Sequence, residues 1–184
     1  MNKFLHELTS NSSMLLKPLK EADYSEEYLA WLNDESINQY LETRWEKQTE
    51  EKIKSFISSI NMDQDSFLYG IIVDNEHIGN IKLGPINWHH KYADISYFIG
   101  SKNYWGRGLA TEAVTIVTKF AFEELELNKC IAGLYSGNIG SAKVLEKVGF
   151  KLEGCLKNNL HGPDGWENRL LYGYLNKDFR KKYE

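Results

Sequence analysis

Cysteine and proline are scarce in this chain, with two cysteines and three prolines among 184 residues. Cys130 and Cys155 make no CxxC or other metal-ligand spacing, and no histidine pair has both ligand spacing and a third partner, so no metal is expected. No Pro/Gly/Ser-rich linker, internal repeat or low-complexity tract divides the chain, which points to one domain over residues 1–184. Long apolar runs are also missing. The most apolar stretch, "FLYGIIV", is far short of the roughly 18 residues that cross a bilayer. The opening "MNKFLHELTS" lacks the roughly seven or more apolar residues of a signal peptide, so a cytoplasmic location is expected. Charge of one sign is not concentrated anywhere: the formal net charge is -4, with acidic and basic residues interspersed. Without a block of about five or six like charges there is no footprint for nucleic acid or an anionic membrane, and small or neutral partners are expected.

What is present is a change of period along the chain. After an opening strand at "SMLLKPL", the segments "ADYSEEYLAWLND" and "TEEKIKSFISSIN" read as helices starting near Asp23 and Thr49. In the second, Ile53, Phe56, Ile57 and Ile60 recur at helical spacing. "SFLYGIIV", "HIGNIKLGP" and "YADISYFIG" then read as short strands, with "DNEH" turning the first two into a hairpin. A long amphipathic helix from Leu109 to Leu125, a strand "KCIAGLYS", a helix "IGSAKVLEKVG" ended by Gly149, and two final strands complete the order βααβββαβαββ. The fold class is α/β, with a mixed, mostly antiparallel sheet flanked by helices.

The join "YWGRGLATEA" stands between a strand and the long helix. A helix N-terminus leaves its first N–H groups unpartnered and carries about half a positive charge, which favours an anion. Gly106 and Gly108 let the backbone approach a phosphate, Arg107 adds a cation, and Thr111 offers a hydroxyl in the first turn. Alone, two glycines would equally serve a sharp turn. The dinucleotide fingerprint is absent because Thr111 stands at its third glycine, and no G-K-[ST] follows to make a P-loop.

A second motif, "NIGSAKVLEKVGF" from Asn138 to Phe150, lies at the next strand-to-helix junction. Together the two motifs resemble the GCN5-related N-acetyltransferases (GNAT), in particular the RimJ/RimL-like branch, over nearly the whole chain as far as "DGWENRLLYGYL". The resemblance implies an acyltransferase of the GNAT fold that moves an acetyl group from acetyl-CoA to a primary amine by direct attack in a ternary complex. The acceptor it implies is a small-molecule or peptide amine, either a protein N-terminus or an amino sugar. It leaves open monomer or homodimer.

By the same resemblance, Trp105, Gly106, Arg107, Gly108, Leu109, Ala110 and Thr111 bind the pyrophosphate, with Trp105 in place of the family's usual Gln or Arg. The strand "ISYFIG" pairs with the pantetheine arm, and its N–H groups around Tyr97, Phe98 and Ile99 stabilise the oxyanion that develops on the thioester carbonyl. An ammonium must lose a proton before it attacks, and Asp94 is the leading base, a role that requires burial to raise its pKa. Glu42 in "LETRW" is the rival, and Arg44 beside it is a candidate for binding an acidic substrate group. Leu145 occupies the position at which many members carry a proton-donating tyrosine; Ser141 is the alternative acid, and Asn138 binds the pantetheine arm or a water. Trp88, His89 and His90, and His161, Asp164 and Trp166, lie in loops that border the family's acceptor pocket. The missing tyrosine also leaves a different class open, a non-catalytic acetyl-CoA-binding or sensor module. An unrelated phosphate-binding domain is the third reading.

Overall fold

The computed structural model describes residues 6–9 and 13–179. Its elements are β1 (Leu8–Thr9), β2 (Met14–Pro18), α1 (Glu26–Asn33), α2 (Glu35–Asn38), α3 (Glu50–Met62), β3 (Phe67–Val73), β4 (Glu76–Asn87), β5 (Tyr92–Ile99), α4 (Leu109–Glu123), β6 (Lys129–Tyr135), α5 (Ile139–Val148), β7 (Lys151–Gly162) and β8 (Gly165–Leu175). The expected order is recovered with two additions, β1 and α2. Neither is long enough to show a period in sequence, and α2 depends on a cap, the Asp34 carboxylate accepting from the Ser36 N–H at 2.9 Å. The cap of α1 is Ser25 rather than Asp23. Ser25 accepts from the Tyr28 N–H, while Asp23 ends a preceding 3₁₀ turn and pairs with Lys17 at 2.7 Å. Thr49 caps α3 as expected.

The strands form one eight-stranded sheet in the order β1-β2-β3-β4-β5-β6-β8-β7, antiparallel everywhere except between β5 and β6. Asp74 and Asn75, both at positive φ (53° and 66°), make the β3–β4 hairpin. Alternation along β3 sends Phe67, Tyr69 and Ile71 to one face, where they join the apolar stripe of α4 (Val114, Val117, Phe120). Leu68 faces the opposite side and packs with Tyr28 and Leu32 of α1 and Ile53 and Ile57 of α3. Each fully buried side chain of this kind contributes roughly 1.5–3 kcal/mol, so the sheet is clamped from both faces.

The parallel junction is short. β5 and β6 pair only through Tyr92–Lys129, Ala93–Cys130 and Asp94–Ile131. Beyond Asp94, β5 stays with β4 as far as Ile99 while β6 stays with β8 as far as Tyr135, so the sheet opens into a V between them. The register with β4 decides which backbone groups face that opening. Ile99 lies opposite Gly79, and the Gly100 N–H donates to the Ile78 carbonyl at 2.8 Å, the pattern of a non-hydrogen-bonded pair at 99 and 79. The amides of Ser96 and Phe98 are therefore turned to β4, and those of Tyr97 and Ile99 to the V. Phe98 thus departs from the sequence expectation: its N–H belongs to the ladder.

Candidate active site

A cleft of about 700 Å³ occupies the V and its continuation beneath α1 and α3. Ile95 to Phe98 on one arm and Ala132 to Tyr135 on the other line it, with Asn138, Ser141 and Leu145 at the α5 end and Tyr40 to Thr43 on the opposite side. The Tyr97 hydroxyl crosses the opening to donate to the Ser141 carbonyl at 3.2 Å, which ties β5 to the first turn of α5. Burial pushes the Tyr97 phenol up to about 12, so it stays protonated.

The glycine-rich join sits at the mouth of the V. Gly106 and Gly108 have φ of 73° and 80°, a region that costs other residues roughly 1–2 kcal/mol, and no atom lies within 4 Å of a Cβ built at either. Conformation, with open space above the backbone, is what demands glycine here. Gly108 is the N-cap of the 15-residue helix α4 and supplies no side-chain cap, so the first N–H groups over Leu109, Ala110 and Thr111 are left for an external acceptor. Arg107 is exposed and lies over the Tyr104 ring, 5.1 Å from its centroid. The Trp105 indole N–H donates to the Ile99 carbonyl at 2.8 Å, so this side chain fastens the loop to the end of β5. An anionic, extended molecule fits this arrangement, its phosphates at the α4 terminus and its arm along the unpaired edge of β5.

Asp94 is the last residue of β5 that pairs with β6, and it does not itself line the cleft. Burial raises its carboxyl to about 6, against the lowering charges of Lys82 and Arg169. Ser96, next on the same face of β5, does line the cleft. Glu42 stands on the far wall in a 3₁₀ turn, Glu42–Trp45, and is held by two donors, the Tyr135 hydroxyl at 2.7 Å and the Trp45 indole at 3.2 Å. Burial and then the Glu42 charge raise the Tyr135 pKa, keeping that proton in place. The α5 cap is Asn138, whose Oδ1 accepts from the Ser141 N–H at 3.1 Å. Ser141 is spared that duty, and its hydroxyl stands beside the Tyr97 phenol, whose pKa it lowers against the effect of burial. Leu145, 1 % exposed, belongs to the core and also reaches the cleft wall.

Three residues expected to contact the substrate are not part of the cleft lining, although Arg44 lies 5.6 Å from the ring centroid of Tyr135, which is. Trp88 is tied by its indole N–H to Asp65 at 2.7 Å, away from the cleft lining. Arg44 stacks on Trp45 at 4.2 Å and donates to the His161 carbonyl, clamping the 3₁₀ turn to the β7–β8 hairpin. Trp166, 67 % exposed, packs edge-on to His161 at 5.6 Å and continues that stack outside the cleft. The cations that do line it are Lys52, Lys82 and Arg169, together with Asn80 and Tyr40. Among the described residues no three His, Cys, Asp or Glu side chains gather as a metal site, and no helix is long and apolar enough to cross a membrane.

Comparison with known proteins agrees with this geometry. The model of the acetyltransferase (GNAT) domain matches residues 13–151, and the chain belongs to that family. It is 35% identical over 130 residues to a probable N-acetyltransferase of Bacillus subtilis, YjcK, covering 69% of this chain and 71% of that protein. Over 170 residues it is 29% identical to the spermidine N(1)-acetyltransferase of Escherichia coli, covering 89% and 86%. Its backbone follows that of RimL, the ribosomal L7/L12 α-N-protein acetyltransferase in complex with coenzyme A, with a TM-score of 0.82 at 16% identity, over 92% of this chain and 98% of that one. The protein is accordingly an acyltransferase, with RimJ/RimL-like enzymes among its structural relatives, and members of its family use acetyl-CoA.

Proposed function

We propose that the chain transfers acetyl from acetyl-CoA to a primary amine by direct attack, with donor and acceptor held together. The observation that carries this reading is the opening of β5 from β6 beyond Asp94: the cleft has a helix terminus suited to pyrophosphate at its mouth, backbone N–H groups turned away from the β4 ladder on one arm, and Ser141 on its wall with Asp94 behind it. The Tyr97 and Ile99 amides are assigned to the donor's arm and to the thioester carbonyl, where negative charge develops. Asp94 takes the ammonium proton through a water, because its carboxylate stands behind the cleft wall. The freed nitrogen forms the N–C bond, the C–S bond breaks, and the Ser141 hydroxyl supplies a proton to the departing sulfur. Glu42, bound by Tyr135 and Trp45, orients the far wall. The amine belongs to a protein N-terminus or an amino sugar, and binds on the α1–α3 side.

The test is amine-dependent release of CoA thiol. For the parent, kcat/KM falls as pH drops through about 6, where Asp94 takes up its proton. Asp94→Asn lowers kcat by about 100-fold or more and removes that limb of the profile. A variant with parent-like rate and profile takes the base role from Asp94. A second reading, an acetyl-CoA-binding module without catalysis, draws on Leu145, which leaves α5 without a phenol in the cleft. Tight acetyl-CoA binding without release for any amine would favour it.

A further inference from the structure

The polar groups of the acceptor side are predominantly donors. Four charged side chains line the cleft: Glu42, Lys52, Lys82 and Arg169. Two have local partners, since Glu42 accepts from Tyr135 and Trp45, and Lys52 pairs with Glu46 at 2.7 Å. Lys82 and Arg169 have no ion-pair partner among the described residues. Both act on the Asp94 carboxylate, but two cations around one anion leave a positive charge over.

A third group points the same way. Asn80, on β4 one pleat from Lys82, is 4 % exposed and lines the cleft, yet its amide nitrogen has no hydrogen-bond partner of normal geometry. His77 Nε2 lies 3.0 Å from the Gly79 carbonyl, which can only accept, so Nε2 carries a proton. The Asn80 atom 2.8 Å from that nitrogen is therefore its oxygen, and the NH₂ group is the one left over. The Tyr28 hydroxyl lies beside it, and the Asn80 amide lowers the Tyr28 pKa against burial, without a hydrogen bond of normal geometry between the two. A buried donor without an acceptor costs about 1–3 kcal/mol, a penalty that a bound acceptor atom removes.

The backbone also makes room for Arg169. Its guanidinium lies across β6 at Gly133, where a Cβ would stand 2.9 Å from Nε and 3.0 Å from Nη2. Absence of a side chain at 133 lets the cation reach the cleft.

We infer that the acceptor amine carries an acidic group, carboxylate or phosphate, received by Arg169, Lys82 and the Asn80 amide. The inference rests on the transfer reading above and narrows its substrate class. A polyamine is disfavoured, because it would bring further positive charge to two unpaired cations and find one carboxylate, already bonded, on the wall.

Matched pairs test this: glucosamine phosphate against glucosamine, serine against serinamide, and spermidine as a polycation. Binding in the presence of CoA is measured by calorimetry, and kcat/KM by thiol release. The acidic member of at least one pair binds and reacts about tenfold better or more, and the pair that does so tells phosphate from carboxylate. Arg169→Gln brings that ratio below about threefold, Arg169→Lys retains part of it, and Gly133→Val, which displaces the guanidinium, mimics Arg169→Gln. Retained acetyl-CoA affinity shows that each variant folds. Equal values within both pairs, or a preference for spermidine that Arg169→Gln leaves unchanged, overturns the inference while leaving acetyl transfer intact. Selective binding of the acidic amines with no thiol release upholds the site and overturns the transfer reading instead.

Discussion

Asp94 is held where an ionised carboxylate is unwelcome, and that has a consequence for stability as well as for chemistry. Its pKa is 3.8 in an ordinary setting and about 6 in the fold. Between those values the unfolded chain has released a proton that the folded chain keeps, so stability falls as pH rises from about 4 to 6, and the full cost is present above 6. Below about pH 4 both states are protonated and the difference vanishes. At about 1.4 kcal/mol per pKa unit the cost is up to about 3 kcal/mol. Asp94→Asn is therefore expected to raise the melting temperature at pH 7 while it lowers turnover; a variant less stable than the parent at pH 7 would show that the carboxylate is better solvated than its surroundings imply. Ser141→Ala belongs to the same scale. Its hydroxyl caps nothing and touches only the Tyr97 phenol, so the expected result is a small change in melting, unchanged acetyl-CoA affinity and kcat lowered about tenfold or more. An unchanged rate across pH excludes it as the acid. The candidacy of both residues could be stated from sequence because they sit inside motifs. Their environments could not, since the burial of Asp94 and the capping of Ser141 by Asn138 depend on neighbouring elements.

At the level of elements, periodicity was enough to find the long helices and the strands, and it failed where an element is one turn or two residues long. The single turn of α2 and the short β1 are fixed by a cap and by pairing with β2. Backbone parity was also hidden: which of Tyr97, Phe98 and Ile99 turns its amide to the opening depends on the register with Gly79 and Asn80, a long-range fact. The glycine-rich join was legible because its chemistry is local. Gly108→Asp tests it: no atom lies within 4 Å of the new Cβ, so the fold survives with a loss of roughly 1–2 kcal/mol. A carboxylate at the α4 terminus nevertheless competes for the N–H groups, and acetyl-CoA binding should fall below detection by calorimetry. Near-normal affinity would move the phosphates elsewhere.

Across the whole molecule, the cleft is assembled from segments far apart in the chain: the 3₁₀ turn after α2, β4, β5, β6, α5 and the β7–β8 hairpin all contribute walls. Lys82, Asn80 and Arg169 looked like ordinary strand residues until the sheet placed them on one face. The only signal in sequence was polar side chains within otherwise apolar strand runs. Trp88, Arg44 and Trp166 are expected at the acceptor side from the family resemblance, and each is engaged by a structural partner: Asp65, the His161 carbonyl with Trp45, and His161. The central claim is that this cleft holds donor and amine at once, so that acetyl passes directly between them. Initial rates of CoA release, with acetyl-CoA and an accepted amine varied together, test it most directly. Lines that intersect in the double-reciprocal plot are the predicted result; parallel lines, the mark of an acetylated enzyme formed before the amine binds, would contradict it.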